Sequence, residues 1–255
     1  VNPESRTLVI PRPLGGWFHP WPNVFELATA LPVERWTLVG GLMVQAHALA
    51  RGIASARLTE DIDVLLKIEL STSVITAADR VIARLGYALQ DPADERRRTS
   101  PHYRYKRASS LGTETIDVMA PDHAPPRVVR RLRGRPMFEV EGGTQAIGRT
   151  MTFQMETDDG AHQLLHIPDE LGALVLKGAA YSVDRRARER HLTDAAILAA
   201  CIHDHAAELE RLGGSDRRRL HALARALADR SHPAWLALTP QQRLAGQDTL
   251  RILTS

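Results

Sequence analysis

Short apolar runs, spaced by polar turns, fill the chain up to about residue 166, and helical periodicity takes over beyond it. Trp36 to Val39 is a β-branched and aromatic run that stops at Gly40-Gly41, the pattern of a strand ending in a tight turn. Leu42 to Arg51 has helical character. Asp61 to Leu66 alternates as a strand, and Ser71 to Leu85 is an amphipathic helix opened by Ser and Thr. Gly86 to Gln90 enters another strand, His102 to Arg107 alternates, and Glu114 to Met119 follows as its partner. Two or three further strands are expected between Met137 and Ile167. At the front of the chain, the proline-rich residues 1–22 read as an irregular arm packed by its tryptophans, and Asn23 to Leu31 as a short helix.

From Pro168 onwards the pattern predicts helices over 168–182, 190–212, 215–231 and 240–252. Pro168 followed by Asp169-Glu170 is a good helix start, because proline suits the first helical position and acids suit the positive end of the helix dipole. Gly213-Gly214 before Ser215-Asp216 reads as a stop followed by an N-cap. The expected fold class is therefore α/β (α+β): a mixed-sheet core over residues 1–166, then a helical C-terminal domain over 167–255, with no internal repeat.

Composition narrows the setting. Of 255 residues, 44% are hydrophobic and 25% charged, an ordinary globular profile. Lys and Arg outnumber Asp and Glu by 33 to 30, so the net charge of +3 permits a polyanionic partner without requiring one. The single cysteine, Cys201, excludes an intrachain disulfide and fits a reducing cytoplasm. No apolar run approaches the roughly 18 residues of a membrane span, and the first residues lack the pattern of a secretory signal, so no membrane partner is expected.

Three groups of residues carry candidate chemistry. Asp61 and Asp63 stand two apart on a strand and so share one face, while Ile62, Val64 and Leu66 take the other. Two such carboxylates suit Mg²⁺, a hard cation that takes oxygen ligands, and two ions lying about 3.5–4 Å apart are the arrangement of many phosphoryl-transfer sites. Asp117, in a second short strand between Ile116 and Val118, adds a third carboxylate if that strand neighbours the first. Gly40-Gly41 lets the backbone approach an anion at the start of a helix.

Lys177 forms the second group. It interrupts the apolar stretch from Leu171 to Ala180, where a charge is costly without a partner. Asp194 on the next helix is a candidate to steer it. The third group is arginine. Arg127, Arg130 and Arg131, continued by Arg133 and Arg135, form one cluster, and Arg185, Arg186, Arg188 and Arg190 form another. Guanidinium matches phosphate in a bidentate manner, so a nucleic-acid backbone is a reasonable ligand, with a solvated basic face as the alternative. Cys201, His203 and His205 offer zinc-ligand types, but 201 and 203 fall on different helix faces, and a buried cysteine is the better reading.

With these residues in place, the chain resembles the DNA-polymerase-β-like nucleotidyltransferase superfamily, whose hallmark is Gly-Gly or Gly-Ser, a helix, Asp-x-Asp and a later lone Asp. Gly40, Gly41, Asp61, Asp63 and Asp117 match it. More narrowly it is similar to the nucleotidyltransferase toxins of abortive-infection toxin–antitoxin systems (AbiEii/MenT-type). There Arg-x-Thr-x-Asp-x-Asp is followed by a helical half with a lysine, an arginine-rich turn and an aspartate, matched by Arg57, Thr59, Lys177 and Asp194. The resemblance spans roughly residues 36–200. It implies a nucleotidyltransferase mixed-sheet core with a C-terminal helical bundle, and transfer of a nucleoside monophosphate from an NTP with Mg²⁺ held by Asp61, Asp63 and Asp117. It further implies an NTP phosphate site at Gly40, Gly41, Arg57, Thr59 and Lys177, a tRNA 3′ end as acceptor, blocked translation and a cognate antitoxin. Nucleotidylation of a small molecule such as an aminoglycoside, and a non-catalytic binding module on the same fold, stay open as alternatives.

Overall fold

The computed structural model describes residues 7–54, 59–68, 73–91, 101, 103–110, 112–123 and 131–255. The chain divides into two compact units, one made of residues 1–42 and 58–167, the other of residues 43–57 and 168–255.

The first unit carries β1 (Thr7–Ile10), α1 (Trp21–Ala30), β2 (Trp36–Val39), the start of α2 (Gly40–Ala50), β3 (Asp61–Leu66), α3 (Ser73–Arg84), β4 (Ala88–Leu89), β5 (Arg104–Ser109) and β6 (Gly112–Pro121). Then come β7 (Arg131–Leu132), β8 (Arg135–Pro136), β9 (Glu139–Val140), α4 (Gly143–Ile147), β10 (Thr150–Glu156) and β11 (His162–Pro168). Its main sheet has the order β2-β3-β6-β5-β4, with β9 added beside the end of β6. The sheet is mixed: β3 runs parallel to β6, while β2 and β5 are antiparallel to their neighbours. Parallel pairing needs a long crossover, and the stretch between β3 and β6 supplies it with α3. That helix buries Val74, Ile75, Ala78, Val81 and Ile82 along one stripe, at the spacing that amphipathic packing demands. Ile62, Val64, Tyr105, Ile116 and Val118 are buried on one face of the sheet. The Tyr105 hydroxyl donates to Asp79 of α3 at 2.9 Å.

The front of the chain is more ordered than its proline content predicts. Thr7–Ile10 pairs in parallel with Thr152–Met155 of β10, which forms a three-stranded sheet with β11. Such a long-range pairing leaves no local signal. The tryptophans do pack the arm: the Trp17 ring lies 5.2 Å from Trp21 and 5.4 Å from Phe25, and its indole N–H donates to the Glu156 carbonyl at 2.7 Å.

The second unit holds α2 from Met43 onward and then α5 (Glu170–Val183), α6 (Arg188–Cys201), α7 (His205–Glu210), α8 (Asp216–Ala226), α9 (Pro233–Leu236) and α10 (Pro240–Leu253). The end of α2 is tied to the start of α5 by two contacts: His47 Nε2 with the Pro168 carbonyl at 2.8 Å, and Arg51 with Glu170 at 2.7 Å. Asp169 caps α5, accepting from the Gly172 amide at 2.8 Å, a cap of the kind worth about 1 kcal/mol. Helix α5 is buried from Glu170 to Ala179, and Gly178 lets α8 approach closely, since a Cβ there would stand 3.0 Å from the Arg219 backbone oxygen.

Two expected helices are split. The stretch 190–212 breaks after Cys201 because Asp204 leaves helical geometry to cap α7 through the Ala207 amide at 3.0 Å. The stretch 215–231 ends at Ala226, and a separate turn follows in which Trp235 is fully buried, its indole N–H donating to the Leu227 carbonyl at 3.1 Å.

Candidate functional site

The sequence of β3 places Asp61 and Asp63 on one face, and the sheet register brings Asp117 to them. In the parallel β3–β6 ladder Asp63 lies directly opposite Asp117, and Asp61 opposite Thr115. In-register partners point to the same side, so the three carboxylates share a face. On the other side of β3, Val39 pairs with Asp63, so Gly40 follows beside the Asp63 carboxylate. Gly40 has φ +71°, and a Cβ there would sit 1.8 Å from Asp63 Oδ2. Glycine is therefore required twice over, by its backbone angle and by the proximity of the acid. Gly41 is buried in the first turn of α2, whose positive end favours a nearby carboxylate.

Arg104 joins this face from β5, where it is the ladder partner of Asp117. Its Nε donates to Asp117 Oδ1 at 2.8 Å and its Nη2 to Asp117 Oδ2 at 2.7 Å, a two-pronged pair. Nη2 also makes a long contact of 3.5 Å with Asp61 Oδ2. Asp117 is buried. Burial raises its pKa above the ordinary aspartate value, and the two hydrogen bonds from Arg104 pull in the opposite direction. The Arg104 guanidinium is held more firmly protonated by the same bonds.

The donor chemistry of this face, three carboxylates with the Thr115 hydroxyl beside them, fits a hard divalent cation such as Mg²⁺. As the side chains stand, however, no group of three His, Cys, Asp or Glu residues among the described residues is gathered closely enough to hold a metal ion. Arg104 engages Asp117 and reaches Asp61 instead.

The remaining expected site residues are placed as follows. Thr59 is half-buried, two residues before β3. Arg57, Arg127 and Arg130 lie outside the described residues. Arg131 is exposed on β7 and donates to the Gly134 carbonyl at 3.0 Å. In the second unit, Lys177 of α5 and Asp194 of α6 form a buried ion pair at 2.8 Å. The buried His191, one helical turn before Asp194, contacts Asp184 at 3.1 Å. Its pKa is lowered, first by burial and then by the nearby Lys177 charge. Arg185, Arg186, Arg188 and Arg190 are all exposed around the start of α6, with the Arg188 guanidinium 4.2 Å above the Tyr181 ring. Cys201 is buried, which pushes its thiol up to about 12 and leaves it inert.

Sequence reasoning passed over Arg104 and His191. Arg104 and Lys106 alternate with Tyr103 and Tyr105, which marks a basic face, but only the register says that this face meets Asp117. His191 gives no local signal at all.

No protein-family model matches the chain, and comparison with curated proteins returns no match. Among solved structures, it is similar to the crystal structure of an antigenic nucleotidyltransferase-like protein from Paracoccidioides brasiliensis, at 13% identity and a TM-score of 0.45, over 82% of this chain and 92% of that one.

Proposed function

We propose that the chain is a Mg²⁺-dependent nucleotidyltransferase that moves a nucleoside monophosphate from an NTP to an RNA hydroxyl, with a tRNA 3′ end as the acceptor, blocked translation as the outcome and a cognate antitoxin as its restraint. The observation that carries this reading is the register of β3 and β6, which sets Asp63 against Asp117 with Asp61 on the same face and Gly40 against Asp63. Asp61, Asp63 and Asp117 would hold the ion. When bound, Mg²⁺ would neutralise the triphosphate and polarise the phosphorus under attack.

The transfer forms a bond from the acceptor oxygen to the α-phosphorus and breaks the bond from that phosphorus to the leaving pyrophosphate. The hydroxyl proton passes to a base. Asp117, on the same face as Asp61 and Asp63, is the carboxylate this reading assigns to that task. The reading gives Gly40 and Gly41 the approach of the phosphate tail. Within the second unit it gives Lys177 the role of a phosphate-neutralising cation and Asp194 the orientation of its ammonium, a role the 2.8 Å ion pair supports. The exposed arginines from Arg185 to Arg190 would grip the RNA backbone.

The test uses purified protein, each α-labelled NTP, Mg²⁺ and total tRNA. The expected result is label on tRNA, abolished in Asp63→Ala. Label on an aminoglycoside instead of RNA would move the substrate class to small molecules. A second reading, a non-catalytic binding module, is favoured by the two-pronged hold of Arg104 on Asp117. Under it no acceptor is labelled, and Asp63→Ala leaves toxicity and binding untouched.

A further inference from the structure

We propose that Arg104 is a tethered counter-cation that competes with divalent metal for Asp117, so that the acidic face is closed to metal until the guanidinium lets go. This rests on the metal-dependent reading above and concerns what controls access to that site. Three observations carry it. Arg104 engages both oxygens of Asp117, leaving neither carboxylate oxygen clear of the guanidinium. It enters from the ladder position directly opposite Asp117, so the strand register itself brings the guanidinium to the carboxylate. Its Nη2 also reaches Asp61, so one side chain offsets charge on two of the three acids. A planar guanidinium satisfies a carboxylate in this forked way and a lysine ammonium does not.

Competition of this kind lowers apparent metal affinity by the fraction of molecules in which the carboxylate is clear. Removing Arg104 also removes a positive charge, which would strengthen cation binding without any displacement. Lys106 separates the two effects. It is exposed on the same strand, opposite Thr115 and two positions along from Arg104, so it shares the face with a positive charge of its own.

The experiment is a Mn²⁺ titration of the nucleotide-free protein, read by electron paramagnetic resonance of the free ion, with circular dichroism melts to confirm folding. Arg104→Lys retains the charge and loses the fork, Arg104→Gln loses both, and Lys106→Gln loses a charge alone. The expected result is that Arg104→Lys and Arg104→Gln each bind Mn²⁺ at least about tenfold more tightly than wild type, as a competent fraction of about a tenth requires, while Lys106→Gln changes affinity far less. If Arg104→Gln does not fold, the comparison of Arg104→Lys with wild type decides. Arg104→Lys binding like wild type, or Lys106→Gln matching Arg104→Gln, overturns the inference and leaves the metal site standing. Absence of Mn²⁺ binding in every variant removes the metal site itself and this inference with it.

Discussion

Gly40 shows how little room a single position can leave. Its φ of +71° disfavours any side chain, and its missing Cβ is the space that Asp63 Oδ2 would otherwise meet at 1.8 Å. Gly40→Ala is therefore expected to cost about 1–3 kcal/mol from backbone strain and to push the Asp63 carboxylate off its position. Urea denaturation reads the first effect; under the proposed function, transfer of label to tRNA reads the second, with a loss expected even where the variant stays folded. The glycine pair and the Asp61/Asp63 spacing are legible in the sequence because both are local: one is a turn, the other a strand with a period of two. Arg104 is not legible as a partner of Asp117, because thirteen positions and a strand reversal separate them and only the hydrogen-bond register joins them.

At the level of elements, helices α5 and α6 are joined through Lys177 and Asp194, whose side chains are 6% and 0% exposed. A buried pair is costly to break, because the survivor is left as an isolated charge, but its replacement by apolar side chains is often tolerated. Lys177→Met and Asp194→Leu are each expected to lose about 3–5 kcal/mol of stability, whereas the double variant loses much less than the sum. A chemical-denaturation double-mutant cycle measures this, and simple additivity would mean that the pair does not act as a unit. The start of α5 falls near Pro168-Asp169-Glu170 as the sequence predicts, but Pro168 ends β11 instead of taking the first helical position, and Asp169 is the cap. The break between α6 and α7 was not, since Ala-rich sequence around Cys201 has good helical propensity and Asp204 competes with it only by capping the next segment.

For the molecule as a whole, acid sensitivity follows from two histidines held neutral in the second unit. His47 is fully buried and His191 nearly so, and burial lowers the pKa of each below 6.5. The unfolded chain therefore binds more protons than the folded one once pH falls below 6.5. Stability is present above that value and is lost as pH falls toward the folded-state pKa values. The loss approaches about 1.4 kcal/mol per histidine for each pH unit between 6.5 and its folded-state pKa, and ends there. Asp184, held down to about 2 by the Arg186 amide and then by His191, loses its contribution only at much lower pH. Melting temperature is thus expected to drop between pH 7.5 and 5.5, and His47→Gln should flatten the drop. An unchanged slope in that variant would remove His47 from the account.

The sequence alone determined what depends on neighbours along the chain: the change of periodicity at Pro168, the glycine turn, the shared face of Asp61 and Asp63, and the odd placement of Lys177 in an apolar run. Tertiary structure decided every pairing across distance. It set Asp117 opposite Asp63 and closed the Lys177–Asp194 pair, both of which the sequence could only offer as candidates, drew the front of the chain into a sheet with β10 and put a guanidinium among the acids. The physical reason is the same in each case. Local conformation follows from backbone sterics and side-chain spacing, whereas the register of strands and the packing of helices follow from burial, to which residues far apart in the chain contribute together.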